Sequence, residues 1–303
     1  MSHHPCKKPV ILVIGSTGTN GRLIVEKLEK HSADVTVRYS SRRQEQVDQW
    51  KKEKKDAVIL DLDNPLTFGL ALHGVDRLIL ITGYTVAMLT QSKTLIDAAY
   101  KAGVQHVVHL GIFADWDTTD PHFVWHFMIE TYLKASGLKW TNLHPNMFME
   151  NVFAPNFLDK GAMNDFFDGR KVGWVAAEDI AKVAATVLRE GPCKHHGKDY
   201  WMSTDSLTMA EAGKIISEVT GKPIGVAKKT EQDFVNYVAT SPVWNEKWYA
   251  EGVRHFIIQI KDGRLGVTSA VRDDVPFVTG EPSLHFREWA TGYKDALTKA
   301  VSQ

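Results

Sequence analysis

Three glycines spaced three apart, Gly15, Gly18 and Gly21, follow the apolar run VILVI at 10–14. A chain that turns this sharply needs residues without a Cβ, and a helix whose first amides point back at the turn is an anion site. The natural anion is a dinucleotide pyrophosphate, cradled by Gly15, Ser16, Thr17, Gly18, Thr19, Asn20 and Gly21. The spacing G-x-x-G-x-x-G departs from the commoner G-x-G-x-x-G, so an ordinary glycine-rich turn competes with that reading. A second group, Ser40, Ser41, Arg42 and Arg43, follows the run VTVRY at 35–39. An NAD-binding unit carries here an acid for the ribose hydroxyl. In its place stand two guanidiniums, which match a 2′-phosphate bidentately and imply NADP(H); solvated arginines at a helix start are the alternative. A third group, His122, His126 and Glu130, has the four-residue spacing of one helix face. One or both imidazoles could protonate a reduced product or hold a substrate oxygen, since an ordinary pKa near 6.5 suits neutral pH. They could equally pack beside the cofactor without chemistry. A metal fits the spacing, but a nucleotide fold needs none.

These groups need elements to position them. A helix over 19–31, with Leu23, Ile24 and Leu28 on one side, completes a strand, turn and helix. Further strands are expected at 57–60, 78–81, 106–110 and 140–144, with helices over 44–54 and 85–101 and another between the last two strands. Such alternation argues an α/β fold, a Rossmann-type doubly wound parallel sheet whose ligands sit at the carboxyl ends of the strands. Gly15, Arg42, Asp61, Thr82, Gly111 and Pro145 fall at those ends, with Leu62, Gly83 and Tyr84 beside them.

The turn at 15–21, the stretch VRYSSR at 37–42, the segment HFVWHFMIETYLKASG at 122–137 and the segment HPNMFMEN at 144–151 together resemble the NmrA-like group of atypical short-chain dehydrogenases/reductases. The resemblance places the 2′-phosphate on Arg42 with Ser41 beside it. It also implies that Pro145, Asn146 and Phe148 line the nicotinamide pocket. In the register of the wider superfamily's Tyr-x-x-x-Lys helix, the two positions hold His122 and His126, and no tyrosine in the chain has lysine four residues later. His126 takes the lysine position, which normally faces the nicotinamide ribose. The expected serine falls at Gly111 or Ile112. A Ser-Tyr-Lys triad is therefore not expected, and oxidation of simple alcohols is disfavoured.

The remainder is expected to form a smaller C-terminal α+β lobe. The division is an NADP-binding domain over 1–155 with a return segment at about 172–190, and a mainly substrate-binding lobe over 156–303. Phe153, Phe157, Phe166 and Phe167 suggest an apolar loop over the cofactor or core packing. Phe234, Tyr237, Trp244, Trp248, Tyr249 and Phe256 offer flat walls for a planar substrate, or the core of the lobe. Trp244 and Trp248, with Tyr84 and Phe148, are the substrate candidates. Glu178 and Asp179 suit a helix N-terminus, and Thr208 with Glu211 makes a capping box for a helix that stops at Gly221.

Composition closes several classes. The 303 residues are 44% hydrophobic, and Lys plus Arg equals Asp plus Glu at 36 each, so no field favours nucleic acid or an acidic membrane. Cys6 and Cys193 cannot make a disulfide framework, and the first apolar run is too short for a signal peptide or membrane span, which points to the cytoplasm. Two functions follow. One is an NADPH-dependent reductase of a small aromatic or conjugated acceptor such as a quinone, azo or triarylmethane compound. The other is an NADP(H) sensor that signals to a regulatory partner without turnover. A non-redox biosynthetic role on a retained nucleotide fold stays open too, as does the choice between monomer and homodimer.

Overall fold

The computed structural model of the chain describes residues 8–83, 85–114, 117–154, 156–240 and 246–302. The first half alternates strand and helix: β1 (Val10–Val13), α1 (Thr19–Glu29), β2 (Thr36–Ser41), α2 (Gln44–Lys52), β3 (Asp56–Ile59), α3 (Phe68–Leu72), β4 (Arg77–Ile81), α4 (Met88–Lys101), β5 (His106–Leu110), α5 (Pro121–Ala135) and β6 (Lys139–Pro145). Beyond come β7 (Met147–Phe148), β8 (Leu158–Asp159), β9 (Ala162–Asp165), β10 (Val172–Val175), α6 (Ala177–Glu190), α7 (Pro192–His195), β11 (Lys198–Ser203) and β12 (Asp205–Leu207). The chain closes with α8 (Met209–Thr220), β13 (Gly225–Lys228), α9 (Glu231–Thr240), α10 (Lys247–Asp262), β14 (Arg272–Asp273), α11 (Val275–Thr279), α12 (Phe286–Gly292) and α13 (Lys294–Val301).

The main sheet has the order β14-β11-β6-β5-β4-β1-β2-β3. Its strands are parallel except β14, which pairs antiparallel with β11. Helices cover both faces, so the central strands read as unbroken apolar runs rather than alternating ones. Ile11, Val13, Ile24, Leu28, Val183 and Val187 fill the core under α1 and α6. Leu12, Leu80, Leu95, Ile96, Ile129 and Leu133 fill the opposite one under α3, α4 and α5. This is the doubly wound α/β arrangement expected from the sequence. β11 and β14 were not expected, and they extend the sheet from within 156–303. Period-two alternation cannot find a strand such as β11, whose pairing partner β6 lies far back in the chain.

The third core belongs to the lobe and includes Met163, Trp174, Ile216, Phe234, Ile257, Phe286 and Trp289. Phe166, Phe167 and Phe234 are buried in it, and Phe153, Phe157, Tyr237 and Phe256 pack against it. Most of the aromatics that could have walled a substrate pocket are thus structural. Burying them removes more apolar surface from water than any exposed arrangement of the same rings. The capping box forms as expected, with Thr208 and Glu211 each bonding the other's backbone, and Gly221 ends α8 in the left-handed conformation. Glu178 pairs with Lys27 of α1, while Asp179 is buried against the Leu284 amide and Lys182. Among the described residues, no helix is long and apolar enough to cross a membrane.

Candidate functional site

The glycine turn joins β1 to α1. Gly15 has φ +67°, a conformation that L side chains rarely adopt, and its carbonyl accepts from the Gly18 amide at 2.9 Å. Gly21 packs directly on the turn, where a Cβ would collide with the Gly15 carbonyl oxygen. No side chain caps α1, so its first amides lack the partner that a capping residue would give them. Thr17, Gly18 and Thr19 are exposed around this opening, and half-buried Asn20 has an unpartnered Oδ1. Ser16 is used differently. Its hydroxyl donates to the Val13 carbonyl at 2.8 Å and accepts from the Ser40 amide at 3.0 Å, which clamps the ends of β1 and β2 together.

That clamp brings the end of β2 beside the turn. Ser41 Oγ accepts from the Arg43 amide at 3.1 Å. Arg42 and Arg43 are exposed, and among the described residues neither guanidinium has an ion pair or hydrogen bond. Arg38, on the same strand, is by contrast bound to Asp56 at 2.9 Å. Two free cations next to an uncapped helix start fit an anion of high charge. Asp61 and Leu62 are half-buried after β3, with the Asp61 carboxylate accepting from the Asp63 amide at 3.1 Å. Thr82 is half-buried and Gly83 exposed after β4. Tyr84 and Trp244 lie outside the described residues.

The third group is a buried polar cluster between α5 and the ends of β5 and β6. Asp120 caps α5 by accepting from the Phe123 amide at 3.0 Å, and Pro121 starts the helix. His122, His126 and Glu130 then project from one face. The His122 and His126 rings are 5.4 Å apart, and His109 of β5 lies 5.6 Å beyond His126. Glu130 Oε1 is 3.8 Å from His109 Nδ1 and 3.7 Å from His144 Nδ1. A Cβ at Gly111 would stand 2.6 Å from the same Glu130 oxygen. Space that a serine at 111 would use is therefore already taken by a carboxyl group from α5.

Burial sets the charges here. It pushes His122 down to about 4, His109 down to about 3 and His126 well below the usual range, with neighbouring imidazoles adding to the shift at His109 and His126. Both candidate histidines are thus neutral at pH 7, and the expectation of an imidazole near its ordinary 6.5 is corrected. Burial raises the Glu130 carboxyl and lifts Asp120 to about 7. His144 goes the other way: burial opposes its charge, but Asp199, Glu130 and the Ile112 carbonyl outweigh it and raise the pKa. Its Nδ1 faces the Ile112 carbonyl at 3.0 Å and its Nε2 faces Asp199 Oδ1 at 3.0 Å. An acceptor at each ring nitrogen favours two N–H groups, which is the physical cause of the raised pKa. Glu130, His144 and Asp199 place one ligand atom each within 4.8 Å of one another, and a metal there would have to displace a proton from His144.

The last segment is mixed. Pro145 is buried at the end of β6 and accepts from the Phe113 amide at 3.0 Å. The Asn146 amide nitrogen donates to the Thr268 carbonyl at 2.9 Å and to Ser203 Oγ at 3.3 Å, and its oxygen accepts from the Met147 amide at 3.0 Å. Its side chain thus holds the lobe to the sheet. Phe148 is half-buried in β7, paired beside β10. Trp248 is 65% exposed in the first turn of α10. Its neighbour Tyr249 reaches the cluster, with its hydroxyl 3.3 Å from His122 Nε2. Sequence reasoning missed Tyr249 in this place, along with His109, His144 and Asp199. The HVVHL run offered a signal, since strand alternation puts His106 and His109 on opposite buried faces.

Comparison with known proteins agrees with this architecture. The profile described as the NmrA-like family matches residues 7–256. An NAD(P)H azoreductase of Xenophilus azovorans is 28% identical over 295 residues, covering 96% of this chain and all of that protein. A Citrobacter triphenylmethane reductase solved with NADP(H) superposes with TM-score 0.78 at 22% identity, over 94% of this chain and 99% of that one. NmrA, a negative transcriptional regulator, superposes with TM-score 0.74 at 16% identity, over 98% of this chain and 99% of that one.

Proposed function

Because the chain belongs to the NmrA-like family, we propose that it is an NADPH-dependent reductase of a small conjugated acceptor such as a quinone, an azo compound or a triarylmethane. The observation that carries the reading is the pair of unpaired guanidiniums, Arg42 and Arg43, beside an uncapped helix start. Gly15, Gly18 and Gly21 let the backbone approach a pyrophosphate, and Arg42 and Arg43 hold the 2′-phosphate. When bound, the cofactor supplies hydride. Phe148 and the α10 end carrying Tyr249 bound the acceptor's place, with His122 and His126 as neutral hydrogen-bonding groups. Neutral imidazoles suit acceptors whose reduced form needs little acid help, such as a stabilised phenolate.

The test follows NADPH and NADH oxidation against a panel of quinones, azo dyes and triarylmethane dyes. Turnover with NADPH preferred is the expected result. Tight NADPH binding with no turnover on any acceptor would replace the reductase by a cofactor sensor. That second reading has one specific support, the neutrality of His122 and His126, which leaves no imidazolium at the helix face where a reductase acid is expected.

A further inference from the structure

The reductase reading leaves a line of buried polar groups without a role. Its outer end is Asp199, which the Lys134 ammonium approaches at 3.4 Å and the Asn142 amide at 2.9 Å. Next inward are His144, held between Asp199 and the Ile112 carbonyl at 3.0 Å from each, and Glu130, 3.7 Å from His144. Then come His109, which is fully buried with neither ring nitrogen partnered, and His126, whose Nδ1 is also unpartnered. Buried polar atoms are seldom left without a partner, because each costs roughly 1–3 kcal/mol. Three such nitrogens on two facing rings are a feature that packing does not explain.

We propose that Asp199, His144, Glu130 and His109 form a proton path from the protein surface to His126 on α5, delivering one proton per turnover. This rests on the reductase reading above. An azo N=N that has taken a hydride holds two more electrons and a negative charge on its second nitrogen, and one proton completes the reduction. Glu130, as the acid, gives its proton to His109 Nδ1 after a small rotation closes the 3.8 Å gap. The opposite nitrogen of His109 releases a proton to His126, which releases one from its own far nitrogen to the acceptor, so each ring changes only its tautomer. The His144 Nδ1–H then restores Glu130 and leaves His144 with only its Nε2–H; reorientation of the ring turns the bare nitrogen to the Asp199 and Lys134 edge, where it takes one proton from water, and the same reorientation of His109 and His126 restores their starting tautomers. The charged and titratable groups facing His144 are Glu130, Asp199, His109 and His126, with Lys134 behind Asp199 and Arg272 on the far side of the Trp201 ring stacked on His144.

Two acceptors separate the outcomes. A cationic triarylmethane dye takes hydride at its central carbon and becomes neutral with no proton, whereas an azo dye requires one. Glu130→Gln keeps the shape but cannot carry the proton. It should lower kcat on the azo dye by about tenfold more than on the triarylmethane, the scale of general-acid effects. Equal losses on both dyes, or none on either, would overturn the path while leaving the reductase reading in place. Wild-type protein inactive on the azo dye would overturn the path, and inactivity on quinones as well as on both dyes would overturn the reductase reading with it. Should Glu130→Gln fail to fold, Asp199→Asn tests the surface end. Loss of its carboxylate lowers the basicity of His144, so the high-pH limb of azo turnover should move to lower pH, and an unmoved limb overturns the proposal.

Discussion

Arg42 and Gly111 each show how a single residue restricts what the site can do. Arg42 has no protein partner among the described residues, so its removal costs the fold little and the ligand much. Arg42→Ala should weaken NADPH by roughly tenfold or more, the loss of a charge-assisted fork to phosphate, and NADH hardly at all. Titration with both nucleotides checks it, and equal weakening would remove the 2′-phosphate assignment. Gly111 makes the opposite point. Gly111→Ser would place a serine at one of the two positions where the resemblance expects one, yet its Cβ meets Glu130 Oε1 at 2.6 Å. Such overpacking typically costs about 1–3 kcal/mol, readable in urea unfolding, and an unchanged midpoint would mean that the Glu130 carboxyl moves freely.

Among the elements, α1 decides nucleotide binding through where it starts. The Gly15 carbonyl closes the turn onto Gly18, and Gly21 lets the helix rest against it. Gly21→Ala should push the helix off the turn, with a stability loss of about 1–3 kcal/mol and loss of NADPH binding in the same titration. Normal binding by this variant would show that the turn yields instead. α5 matters for a different reason. Its fourfold spacing of His122, His126 and Glu130 was legible in the sequence, because a helix repeats nearly every four residues. The groups it meets were not, since His109 and His144 come from β5 and β6 and Asp199 from β11.

At the scale of the whole molecule, the buried histidines couple stability to pH. His106, His109 and His122 are depressed to about 3, 3 and 4 in the fold against 6.5 when exposed, chiefly by burial. Between those limits the unfolded chain binds protons that the folded chain refuses, so stability is present above about 6.5 and is lost as pH falls toward 4. Asp120, raised to about 7 from 3.8, and the raised carboxyls of Glu130, Glu150 and Asp179 oppose this, while His126 and His195, both lowered by burial, add to it. The melting temperature should therefore fall from pH 7 to pH 5. His109→Asn should flatten that slope by the share of one site, at most about 1.4 kcal/mol per pH unit. A slope unaffected by the variant would show that His109 is not held neutral.

The sequence by itself determined the doubly wound sheet, the glycine turn and the arginines that follow β2 in place of an acid. Strand and helix periodicity, the demand for positive φ at Gly15 and a missing acid at the end of β2 are all local properties of neighbouring residues. Tertiary structure alone decided that Asn146 and Ser16 spend their side chains on the fold and that Phe166, Phe167 and Phe234 fill a core rather than a pocket. It also decided the charge of every histidine in the cluster. A pKa depends on the water and partners around a group, and for His144 those partners include an aspartate 55 residues away in the chain.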